Sequence, residues 1–279
     1  MIPSQYVVWF MLFGLFGWVF ESTYCSIVER HWCNRGFLFG PVCPIYGVGA
    51  VAAIAVFSHV ARMGAMPEPW QVFLVCAVGA SAIEWVTSCA MERMFGTVWW
   101  DYSDLPLNIR GRVCVPAATL FGLCGLGIVY VALPLVTRVV AVVPPVAFEL
   151  VSLVLVALLA TDVTLAVSAL TELVSTIEAL EASLNERVQE TIDERSGKIR
   201  AGAQRVRVSS AEARERLRDV AANLDGMQRH VLLNARRFRT LRLGRVARGL
   251  NATILMAART HAEQARAVAR RDRSERRHG

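Results

Sequence analysis

Apolar positions fall along the chain in five long blocks broken by short polar turns, and a long polar stretch with a seven-residue rhythm follows. The blocks are roughly Tyr6–Val28, Phe37–Ala61, Trp70–Met91, Cys114–Thr137, and a fifth that starts at Pro144-Pro145 and runs to about Ala169. A bilayer core about 30 Å thick takes about 20 apolar residues in helix. Lipid offers no partner to free backbone groups, so each block predicts a spanning helix and not a strand. The second block holds Gly36, Gly40, Pro41, Pro44, Gly47 and Gly49, a composition that predicts a kinked or partly unwound start.

Beyond Thr171 the pattern changes. Ile192, Ile199, Val206, Ala213, Val220 and Met227 recur every seven residues, and Ser196, Ala203, Ser210, Leu217, Leu224 and Val231 form a second line four residues later. This is a heptad seam, but small and polar residues crowd it, so it predicts a coiled coil that is weak or needs a partner. The fold class expected is all-α: a polytopic membrane helix bundle of about five spans over residues 1–170. A cytoplasmic helical, coiled-coil-like region follows over 171–265, and then a disordered basic end over 266–279.

The apolar half also repeats itself. Trp18 and Glu21-Ser22 in the first block answer to Glu84-Trp85 and Thr87-Ser88 in the third. Asn34-Arg35-Gly36, Pro41 and Gly47 are followed at one constant offset by Gly111, Pro116 and Gly122, with Asn108 and Arg110 just before them. Two helix pairs thus read as copies in the same orientation, an arrangement known among transporters. The second copy carries an insertion, Gly96–Ile109, with Trp99-Trp100-Asp101-Tyr102-Ser103-Asp104. Its aromatics suit the membrane interface. It would act either as an anchor or as a lid over the inner mouth, with Asp101 paired to Arg110 or Arg112.

Composition sharpens this division. Hydrophobic residues are 54% of the chain and mean hydropathy is +0.42, too apolar for an ordinary soluble globule. The net charge of +7 is uneven: residues 1–170 are nearly neutral, and the basic excess lies after them. From Arg229 onward 14 Arg face 3 acids, which suits anionic lipid headgroups beside a membrane. Nucleic-acid binding is the weaker reading, because no recognition motif or basic–aromatic interleaving accompanies the charge. The loops after the first and third blocks hold Arg30, Arg35, Arg93, Arg110 and Arg112, and the opposite side holds Arg62 and Arg138. The positive-inside rule then puts the N-terminus outside and the tail in the cytoplasm. No basic n-region or small-residue cleavage site marks the first block as a cleaved signal.

Three acids interrupt the blocks: Glu21, Glu84 and Asp162. Each would cost about 2.5–3.5 kcal/mol at a helix centre, so each should face the bundle interior. Arg35, Arg110 and Arg112 begin the following helices at the same level, which predicts a polar cluster of acids and arginines. With Asn34, Asn108 and Asp101 these are the candidate residues of an intramembrane site. The cluster reads either as interhelical ion pairs or as the lining of a cavity for an ion, a proton or a polar substrate. The seven Cys lack CxxC spacing and read as packing residues. The His do not cluster with them in metal spacing. No P-loop, HExxH or GxSxG occurs, so no catalytic residue, metal or cofactor is expected.

The runs FGWVFES, NRGFLFGPVCPIYG and WWDYSDLPLNIRGRVC, with Glu84-Trp85 between them, resemble the ABC-transporter type IV permease family, CmpB-like bacterial membrane proteins. The likeness covers about residues 6–140 and leaves the tail outside. It implies an integral protein of a bacterial plasma membrane and a transport role beside a separate ATPase subunit. The chain is short, so a pore would require a homo-oligomer. Two other readings stay open: a non-transporting scaffold or regulator whose tail docks a partner or anionic lipid, and a small membrane enzyme acting on a phosphorylated lipid.

Overall fold

A computed structural model describes residues 1–30, 32–64, 67–193, 215–235, 237–238 and 246–257. The chain divides into two units, Met1–Leu170 with Asn234–Arg237, and Thr171–Leu233 with Phe238–Gly279.

The first unit is built of helices α1 (Pro3–Glu29), α2 (Pro44–Arg62), α3 (Pro69–Phe95), α4 (Val115–Gly127), α5 (Leu133–Val142) and the first part of α6 (Pro145–Asp193). Proline stands at the first residue of α1, α2, α3 and α6, where its fixed φ and missing N–H cost nothing. Among the described residues five stretches are long and apolar enough to cross a membrane, with α4 and α5 forming one of them, Val115–Val142. A π-helical turn over Ile128–Ala132 joins these two, with the N–H of Leu133 bonded to the carbonyl of Ile128. Pro134 lies next to this turn and cannot donate to the carbonyl of Tyr130, so the widened turn sits where the helical ladder lacks a donor.

The second block does unwind at its start. Residues 36–43 are bent and non-helical, and α2 begins only at Pro44. The N–H of Cys43 leaves this segment to bond the carbonyl of Gly14 in α1 (2.9 Å).

Packing follows the repeat. α1 lies against α2, and α3 against α4. A Cβ on Gly47 would meet Phe10, and one on Gly122 would meet Phe73. Phe10 and Phe73 stand at the same offset as Glu21 and Glu84, so equivalent glycines receive equivalent rings. Contacts between the pairs are reciprocal too. Val136 on α5 packs with Trp9 of α1 and Ile54 of α2, and Phe57 on α2 packs with Val72 of α3 and Val129. Trp9 and Val72 are again equivalent positions. A third cluster joins Leu38 and Val42 of the unwound segment to Ala166 of α6. Large apolar side chains such as Phe16 (59% exposed), Val78 (68%) and Leu153 (68%) point outward. This is the surface expected of helices whose outer faces meet lipid and not water.

Within this unit a small hairpin pairs Asn108–Ile109 with Val113–Cys114, with Asn108 opposite Cys114. In the second unit Leu173, Ile177 and Leu180 are buried at the spacing of one helical face. A helix over 215–223 stops before Leu224, and another, Gly226–Asn234, starts after Asp225. Asp225 and Gln228 exchange backbone-to-side-chain hydrogen bonds (2.6 and 3.2 Å), a reciprocal cap that restarts the helix. The seam expected through Val220, Leu224, Met227 and Val231 is therefore interrupted. Most of its earlier positions, and the end expected to be disordered, lie outside the described residues.

Substituting Gly47→Ala or Gly122→Ala should each destabilise the bundle by about 1–3 kcal/mol through overpacking. Gly49→Ala, whose Cβ meets nothing within 4 Å, should leave stability near the wild type. Unfolding of the purified protein in detergent checks the difference.

Candidate functional site

The two repeated acids find hydroxyl partners. Gly17 on α1 gives room for the ring of Tyr46, with which a Cβ there would overlap. The Tyr46 hydroxyl then donates to Glu21 Oε1 at 2.5 Å. On α3, Glu84 is buried and only 4% exposed. The Tyr102 hydroxyl donates to its Oε1 at 2.8 Å, while Oε2 is buried without a hydrogen-bond partner among the described residues.

At the repeat offset the counterpart of Tyr46 is Phe121, which has no hydroxyl. The insertion supplies it instead. Its backbone N–H at Tyr102 bonds the carbonyl of Gly111 (2.8 Å). Gly111 has φ +69°, a left-handed conformation that glycine adopts without strain, and a Cβ there would strike Asp101 and Ser103. Asp101 Oδ1 accepts from the Ser103 N–H (3.1 Å) and hydroxyl (2.5 Å). Trp100 Nε1 donates to the carbonyl of Arg112 (3.0 Å), and the Trp99 carbonyl accepts from Arg35 Nη2 (3.1 Å). The ring of Phe37 meets that of Trp99 edge-on at 5.5 Å. The insertion is thus tied to both copies.

Burial pushes the Tyr102 phenol above the ordinary tyrosine range, the charge of Glu84 and its hydrogen bond add to this, and Glu21 contributes as well. The acid of the first copy therefore acts on the tyrosine of the second, and Glu21, Tyr46, Glu84 and Tyr102 form one electrostatic group.

The remaining candidates do other things. Asp162 accepts the N–H of Phe39 on Oδ1 (3.0 Å) and of Gly40 on Oδ2 (2.9 Å), so it caps the unwound segment. Gly40 is closed to a side chain because a Cβ would lie 2.7 Å from that carboxylate. Asn34 Oδ1 accepts from Trp18 Nε1 (2.7 Å). Asn108 donates to the carbonyls of Leu105 (2.8 Å) and Ser103 (3.2 Å) and accepts the N–H of Gly111 (3.1 Å). Both asparagines staple turns.

The expected cluster of intramembrane acids with arginines does not form. Arg112 pairs with Glu92, donates to Cys89 Sγ (2.9 Å) and lies over the Trp85 ring at 5.5 Å. Arg110 is exposed at the hairpin turn, and neither arginine is bonded to Asp101 among the described hydrogen bonds. The physical reason is that phenol hydroxyls, one from α2 and one from the insertion, already donate to one oxygen of each acid. Sequence reasoning missed both tyrosines. The available signal was the mismatch of Tyr46 with Phe121 beside an acid in each leading helix.

The fold and this acid–tyrosine group define a multi-pass membrane protein with a polar site inside its helix bundle. The family described as "Putative ABC-transporter type IV" matches residues 8–167, more than half of the chain, and the chain belongs to that family. No curated protein and no solved structure matches it.

Asp162→Ala strands two backbone donors and should cost about 1–3 kcal/mol for each one left buried, with Asp162→Asn milder; detergent unfolding measures both. The raised folded-state pKa of Tyr102 contributes stability that is complete below the usual tyrosine value of 10.0 and is lost as pH rises beyond it. Tyr102→Phe should flatten that alkaline loss, as followed by unfolding midpoints across alkaline pH.

Proposed function

We propose that this chain is the membrane-embedded component of an ABC-type transport system in a bacterial plasma membrane. It would work with a separate ATPase subunit and as a homo-oligomer. The observation that carries the reading is the acid–tyrosine group, in which two acids in equivalent helices are held inside the bundle by hydroxyls and one carboxylate oxygen is left open. Intramembrane acids that no cation neutralises mark ion and substrate pathways. Membership of the family supports the transport class. The orientation that fits the loop arginines has the N-terminus outside and the basic tail in the cytoplasm, against anionic lipid.

The tail favours a second reading, a scaffold or regulator without transport, because its 14 Arg from Arg229 onward would bind a lipid surface whether or not the bundle transports. The lipid-enzyme reading has less support. A phosphorylated headgroup would need arginines at the acids, and Arg35 and Arg112 are bonded to Trp99 and Glu92.

Purification in mild detergent should recover an ATPase with the chain, and deletion should abolish uptake of the substrate of that system. Glu21→Gln with Glu84→Gln should abolish uptake while expression and ATPase recovery persist. Unchanged uptake on deletion, with no ATPase recovered, would favour the scaffold. Loss of expression alone would make the acids purely structural.

A further inference from the structure

The acid–tyrosine group is the place where the fold leaves a polar atom unfinished. Glu84 is 96% buried by its 4% exposure, and Oε2 has no hydrogen-bond partner among the described residues. Buried polar atoms are nearly always hydrogen-bonded, and a buried charge needs pairing or neutralisation. The groups facing Glu84 are Tyr102 from the insertion and, through the field they share, Glu21 from α1 with its partner Tyr46 from α2. Cys114, at the start of α4, acts on Tyr102. None of these is a cation.

Farther along α3, Glu92 is paired with Arg112, so that arginine is not available to Glu84. Both tyrosine hydroxyls already donate to the acids. The group thus holds two carboxyls, two engaged phenols and, on Glu84, a buried carboxylate oxygen without a hydrogen-bond partner among the described residues. An alkali or divalent ion would require several ligands, and among the described residues no group of three or more His, Cys, Asp or Glu could hold one. A proton requires one lone pair.

We propose that Glu84 exchanges a proton with the aqueous phase, binding it on Oε2. A proton from water forms the O–H bond there and makes the carboxyl neutral, and release reverses the step with no electron transferred. Tyr102 is not the exchanging group, since burial and the neighbouring acids hold its phenol protonated; it positions Glu84 by donating to the other oxygen. The duplication is functionally unequal in this respect. Glu84 is buried with an open oxygen, and Glu21, partly exposed, sets the field in which the exchange occurs. The inference rests on reading the acid–tyrosine group as the functional site and names its ligand.

The test is infrared difference spectroscopy on the purified full-length protein in nanodiscs, titrated in pH. Wild type should show, apart from the bands of the other acids, a carboxylic acid carbonyl band at the high frequency of a buried, weakly hydrogen-bonded carboxyl that grows on acidification. The band should vanish in Glu84→Gln, persist in Asp162→Asn, and shift in Tyr102→Phe, which keeps the acid but removes its donor. A band that persists in Glu84→Gln, or no titrating band in wild type, overturns the proposal. So does a saturable rise in Tm with sodium or potassium that Glu84→Gln abolishes, because a metal ion would then hold the site. Should Glu84→Gln fail to fold, Tyr102→Phe decides: a shifted band supports the proton site and an unshifted one refutes it. A titrating Glu84 in a protein that neither transports nor recruits an ATPase would refute the transport reading alone.

Discussion

A phenol hydroxyl set against a carboxyl inside a membrane is the contact on which this structure depends. An acid among apolar helices must be neutralised or hydrogen-bonded, and the obvious partner is an arginine. Here the partners are Tyr46 and Tyr102, which donate to Glu21 and Glu84. A phenol satisfies an oxygen without bringing a compensating charge. Much else follows from placing those hydroxyls. Gly17 must be small for Tyr46 to reach across, and the insertion must be pinned from both copies for Tyr102 to enter.

The spans were legible because hydropathy and length carry the bilayer's thickness directly into the sequence. The unwound entry to α2 was legible from Gly36, Gly40 and Pro41, which disfavour a regular helix. Glu21 and Glu84 stood out because each interrupts an otherwise apolar block. Tyr46 and Tyr102 did not stand out, because they occupy unlike positions: one is inside α2 and the other in a segment the first copy lacks. Repeat comparison looks for like residues, and here the same chemistry is delivered from two different places. The role of Asp162 was hidden for another reason. Its partner N–H groups are more than 120 residues away in sequence, and backbone donors leave no signature in side-chain identity. The arginines were misassigned because shared membrane depth says nothing of direction, and nearer acceptors took them.

The two copies have diverged around a common frame. In the first, the entry to the second helix is unwound and held by Asp162 of the fifth span. In the second, the entry is a hairpin whose turn is built on Asn108 and Gly111, and the insertion closes over the leading helix. The family match over residues 8–167 takes in all of these devices and ends near Asp162. The family match does not extend to the basic residues from Arg229 onward.

The reciprocal contacts bear on how such a protein could arise. Trp9 is covered by Val136 of the other pair, and Val72 by Phe57. Each helix pair thus covers a site on the leading helix of the other. Two separate copies of one pair could make the same contacts as a symmetric dimer, each half completing its twin. One chain that holds both is free of that identity, and here the two halves supply the tyrosine from different places, α2 in one and an inserted loop in the other.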